Sequence, residues 1–122
     1  MIPPAPSSRL DATWFGDRLR ALRAAGQVRL DDLEVLGLAA ALEGIDADAI
    51  DLFGSRVDPS ARGGDIDVLV MTAAPSLETA RRISTRFFTR CEERIDVCVI
   101  DPTRVTAAQQ AFVSRLRRVR VA

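Results

Sequence analysis

DLFGSRVDPSARGGDIDVLV, residues 51–70, holds two short apolar runs separated by a turn-rich segment. The first run, Ala49 to Phe53, stops abruptly at Gly54-Ser55 and reads as a strand. Val57 to Gly64 contains Pro59, Gly63 and Gly64 and reads as a loop. From Asp65 to Met71 the pattern alternates, which predicts a second strand. Ile66, Val68 and Val70 would face one side; Asp65, Asp67, Leu69 and Met71 would face the other.

Outward from this stretch the periodicity becomes helical. Ser7 or Ser8 can cap a helix running to about Ala25, with Leu10, Trp14, Leu19 and Leu22 as its apolar line and Gly26 ending it. Asp31 and Asp32 precede a second helix in which Leu33, Leu36 and Ala40 recur at helical spacing before Gly44. Ser76 is placed to cap a third, carrying Leu77, Ala80, Ile83, Phe87 and Cys91. Arg94 to Ile100 repeats the strand pattern. Asp101-Pro102 pairs a cap residue with proline at the first helical position, which predicts a last helix lined by Val105, Phe112 and Leu116. Arg115, Arg117, Arg118 and Arg120 then read as a helix end favoured by the dipole, with a partner or RNA contact left open. The fold class expected is α/β (α+β), a small mixed sheet covered by helices. Residues 1–8, with Pro3, Pro4 and Pro6, form a flexible lead-in, and residues 9–122 form a single domain.

The net charge is zero, from 17 basic and 17 acidic residues, so the overall balance does not describe a nucleic-acid clamp. Every basic residue is arginine. Without histidine or lysine, imidazole catalysis and a P-loop are both excluded. Cys91 and Cys98 match no zinc spacing and read as small buried apolar residues. The first eight residues lack the pattern of a secretory signal, and no apolar run approaches a membrane span. A cytoplasmic protein is expected, with no membrane partner.

Asp65 and Asp67 lie two apart on a strand, so their carboxylates share a face and repel unless a cation intervenes. Oxygen ligands of this kind suit Mg²⁺. Asp96 sits on another strand between Ile95 and Val97. If the two strands are neighbours, three carboxylates converge and can hold two ions, with Mn²⁺ as the alternative metal. Gly54 lets backbone amides approach a phosphate, and Ser55 adds a hydroxyl. Arg56 and Arg62 lie where guanidiniums can grip a triphosphate. Asp58, before Pro59, reads as a turn former, and Asp101 as a helix cap.

The run from Asp51 to Asp101 resembles the minimal nucleotidyltransferases of the DNA polymerase β superfamily. An apolar residue, Gly-Ser, a loop, Asp-x-Asp and a distant third aspartate together make the signature. The resemblance implies the palm-like fold of that superfamily and metal-dependent transfer of a nucleoside monophosphate, with AMP from ATP the expected case. The acceptor is a hydroxyl, in an EC 2.7.7-type reaction. It implies that Gly54 and Ser55, with Arg56 beside them, contact the nucleotide. It also implies that Asp65, Asp67 and Asp96 bind two Mg²⁺ ions and carry catalysis. Small stand-alone members are commonly the antitoxin of a toxin–antitoxin pair, so the acceptor is expected on a small helical partner protein encoded nearby. A homo-oligomer is compatible with the sequence. Nine residues separate Ser55 from Asp65, one fewer than is usual, and Gly64 stands where serine commonly precedes Asp-x-Asp. The alternative reading is a catalytically inactive nucleotide- or partner-binding module on the same fold.

Overall fold

The computed structural model describes residues 10–122. The order is α1 (Ala12–Ala24), α2 (Asp32–Leu42), β1 (Ala49–Phe53), β2 (Ile66–Met71), α3 (Ser76–Phe88), β3 (Ile95–Ile100), α4 (Ala107–Arg115) and β4 (Arg118–Arg120). A short 3₁₀ turn, Gly54–Val57, follows β1 directly. The result is a small mixed α/β protein with a four-stranded sheet ordered β3-β2-β1-β4. β1 runs antiparallel to both β2 and β4, whereas β2 and β3 are parallel. A parallel neighbour requires a crossover, and α3 supplies it. Among the described residues no helix is long and apolar enough to cross a membrane.

Alternation sorts the sheet into two faces. Ile50, Leu52, Ile66, Val68, Val70 and Ile95 join residues of α1, α2 and α3 in one buried core. The opposite face carries Asp51, Phe53, Asp67, Leu69, Asp96, Arg118 and Arg120 and, among the described residues, is covered in part by α4. Phe112 of α4 meets Phe53 edge-to-face, with ring centroids 6.0 Å apart.

The helices correct several expectations. Ser7 and Ser8 lie outside the described residues, as does the expected lead-in, and α1 is capped by Asp11, whose carboxylate accepts from the Trp14 amide at 2.9 Å. Phe15, not Trp14, leads its buried line with Leu19 and Leu22. In α2 the buried line is Val35, Leu38, Ala39 and Leu42; Leu33 and Leu36 are 61% and 53% exposed. This helix is apolar nearly all round, so spacing alone admits either rotation. The rotation adopted buries Glu34, which pairs with Arg56 and closes a reciprocal box with Asp31 at the N-terminus.

Ser76 is the first residue of α3 and makes no cap; Pro75 precedes it. Leu77 points outward, while Thr79, Ile83 and Phe87 are buried. Cys91, just past the helix, is buried, but Cys98 is only partly so. The last helix does not start at Asp101-Pro102. The Asp101 carboxylate instead accepts from the amide and hydroxyl of Thr103, at 2.9 and 2.7 Å, closing a local turn. α4 begins after Thr106, whose box with Gln109 satisfies both partners. Of the expected basic helix end, Arg115 does lie in the last turn of α4, but the arginines after it do not. Arg118–Arg120 forms an edge strand on β1, and both arginines pair with Asp51.

Candidate active site

Parallel pairing puts Asp67 directly beside Asp96, and antiparallel pairing puts Asp67 beside Phe53. Lateral neighbours on one face of a sheet are about 5 Å apart. The two strands on which the expected carboxylates lie are therefore adjacent, as the metal reading required. Asp67 is partly buried and Asp96 exposed, with Asp65 partly buried one residue before β2. Burial, then the charges of Asp96 and Asp65, raise the Asp67 carboxyl above its ordinary value. A carboxylate held in these surroundings favours a nearby cation. Among the described residues, however, no three acidic side chains stand close enough to ligate one ion together.

Gly54 opens the 3₁₀ turn at φ +75°, and a Cβ there would collide with Oδ2 of Asp67. The turn is thus seated directly against the carboxylate, and its backbone can approach a ligand on that side. Gly64, at φ +85°, is similarly pressed on the Ser55 hydroxyl, where any Cβ would collide. The Gly-Gly pair that ends the loop therefore brings it back onto the turn that begins it.

Arg56 occupies a different place from the one expected. It is 6% exposed, and its guanidinium forms a bidentate pair with Glu34 at 2.8 and 2.7 Å. It also donates to the carbonyls of Arg29 and Gly64 at 2.9 and 3.0 Å. With its donors committed to the protein, Arg56 braces the turn against α2 and has little left for a phosphate. Burial alone would raise the Glu34 carboxyl, but the Arg56 hydrogen bond and the Asp31 amide together hold it below its ordinary value. Arg29 completes the brace, donating to the carbonyls of Ser55, Asp58 and Gly63 at 2.8, 3.0 and 2.9 Å. Arg62 is exposed on the loop. Asp58 forms the expected turn, accepting from the amide and hydroxyl of Ser60 at 2.9 and 2.7 Å.

Sequence reasoning missed Arg29, Glu34 and Asp51, and it read Arg118 and Arg120 as a helix end when they lie on β4. Asp51 is 2% exposed in an otherwise apolar strand. Arg118 and Arg120 reach it from β4, with Nη1 of Arg118 3.2 Å from Oδ2. The Arg-Val-Arg alternation was the available signal for that strand. Asp31-x-x-Glu34 was the signal for the α2 box. Nothing in the sequence marks Arg29 among 17 basic residues.

On the helical side a cavity of about 500 Å³ lies between α1, α2 and α3, lined by Gly16, Leu36, Ala39 and three arginines, Arg20, Arg86 and Arg90. It touches none of the three aspartates. Comparison of the chain with protein-family models, curated proteins and solved structures gives no match.

Proposed function

We propose that this chain is a metal-dependent nucleotidyltransferase with a polymerase β-like palm, moving AMP from ATP to a hydroxyl on a partner protein. The observation that carries the reading is the side-by-side register of Asp67 and Asp96 with Gly54 seated on the Asp67 carboxylate. Oxygen donors of this kind suit Mg²⁺, and the adjacent Asp67 and Asp96 would hold it, with Asp65 at the flank of β2 adding its charge. When bound, the metal supplies charge neutralisation at the phosphates.

The chain's own groups do the rest. The Gly54–Ser55 turn offers amides and a hydroxyl to the phosphate oxygens. Asp96, the exposed member, faces the space an acceptor must enter and accepts its hydroxyl proton. The acceptor oxygen bonds to the α-phosphorus as the bond to the β-phosphate bridge breaks, releasing pyrophosphate. Arg29, Glu34 and Arg56 keep the turn in place from behind.

The test is calorimetric titration of ATP with Mg²⁺ and again with EDTA, followed by incubation of labelled ATP with the protein encoded next to this one. Metal-dependent binding and label on the partner are expected with the parent chain, and binding without label with Asp96→Ala. Equal affinity in Mg²⁺ and EDTA would remove the reading. The second reading is a nucleotide- or partner-binding module on the same fold. It expects a stable complex with the partner and no transfer by the parent.

A further inference from the structure

Past the aspartates the same face of the sheet is covered at Leu69 and Asp51 and then borders a cavity that the proposed chemistry does not use. Three lateral rows can be read from the strand register. Asp96, Asp67, Phe53 and Arg118 form the first; Cys98, Leu69, Asp51 and Arg120 the second; Ile100 and Met71 belong to the third. From the first row to the third is four residues along β2, about 13 Å at roughly 3.3 Å per residue. A nucleotide spans a distance of that order from its α-phosphate to the far edge of its base.

Above the third row lies a cavity of about 380 Å³ between the sheet and α4. Its size falls within the range of roughly 300–1,000 Å³ usual for small-ligand pockets. Met71 and Ile100 form its floor and Val113 part of its opposite wall, with Gln110, Ser114 and Arg118 at its edges. Apolar walls with a few polar groups are what a heteroaromatic ring needs: flat surfaces for its faces and hydrogen-bond partners for its edge. Arg118 is held from below by the buried Asp51, and among the described residues only its Nη1 is engaged. Its planar guanidinium is thus oriented yet still free to stack on a ring.

The geometry points to this cavity as the nucleobase subsite of the proposed nucleotide, with Arg118 stacking on the base and Gln110 reading its edge. The assignment rests on the nucleotidyltransferase reading and adds where the base lies. It also replaces the expected arginine on the loop with one from the last strand. The phosphates sit over the first row, the ribose beside Cys98, and the base in the cavity over Met71 and Ile100. Cys98 lies between the first row and the cavity and is only partly buried, so it offers the surface that the sugar crosses.

The test compares ATP with inorganic tripolyphosphate, which shares the phosphates but has no base. Both are titrated in Mg²⁺ into the full chain and into Ser114→Trp and Gln110→Trp. These positions are exposed on α4, so the indole fills the cavity without entering the core. Two separate variants guard against one failing to fold, and circular dichroism checks each. The parent should prefer ATP over tripolyphosphate by about tenfold or more, and the tryptophan variants should lose most of that preference. A preference that survives in a folded variant overturns the subsite. A parent that binds both ligands equally well also overturns it, while leaving the proposed function standing. A parent that binds neither overturns both.

Discussion

Gly54 couples the backbone to the acid chemistry through a single missing methyl. A left-handed φ is cheap only for glycine, and here an added Cβ would also strike the Asp67 carboxylate. Gly54→Ala should therefore lower stability by about 1–3 kcal/mol, the usual cost of such strain in a non-glycine residue. Urea denaturation measures it, and ATP binding should fall in the same variant. A neutral outcome would mean that the turn can move away from Asp67, and the phosphate-cradle assignment would go with it. At this scale the site was partly legible. Asp67 and Asp96 could be placed on strands because carboxylates interrupting apolar alternation leave a pattern, whereas Asp65, expected on the same strand, falls one residue before it. The partners of Arg56 could not be placed, since a buried ion pair between residues 34 and 56 depends on how α2 rotates, and the apolar sequence of α2 permits two rotations.

At the scale of elements, two ion-pair assemblies hold the pieces together. Glu34 and Arg56 are 3% and 6% exposed, so neither is usefully solvated once its partner is gone. Glu34→Leu leaves the guanidinium buried and uncompensated, and should cost about 3–5 kcal/mol. The pair also carries a pH dependence whose sign follows from the lowered Glu34 carboxyl. Its stabilisation is present above the ordinary glutamate value of 4.5 and is lost as pH falls through the lower folded value. The parent should lose stability on acidification in that window, and Glu34→Gln should lose less; identical acid profiles would show that the pair does not set the dependence. β4 depends on the second assembly. Arg118→Ala with Arg120→Ala strands the Asp51 carboxylate, at a cost toward the lower end of about 3–5 kcal/mol because the arginines are themselves half in water. Adding Asp51→Leu should recover most of that loss in thermal melts. The Arg-Val-Arg alternation was too short to outweigh a helix end, and the cause of the strand lies 67 residues upstream.

Across the whole molecule, one sheet serves two purposes because its faces are chemically opposite. The helical side is apolar and buries the core, so it fixes the register of all four strands. The other side inherits that register and uses it to align carboxylates at one end and arginines on the last strand. The fold class was legible because alternation and helical spacing are local. The arrangement of α4 and β4 over the open face was not, because it is set by contacts between distant residues. If the aspartates hold metal, their mutual repulsion is an electrostatic penalty that binding removes. Asp67→Asn should then melt no lower than the parent in EDTA, since it deletes a carboxylate whose burial and neighbours disfavour its charge. Saturating Mg²⁺ and ATP should stabilise the parent by mass action, about 2.7 kcal/mol at a hundredfold excess over Kd. In a chain of this length that is a rise in Tm of about 8 °C. The same additions should leave Asp67→Asn nearly unchanged. An equal rise in both chains would place the ligand away from Asp67. A large fall of the variant in EDTA would instead give that carboxylate a structural role.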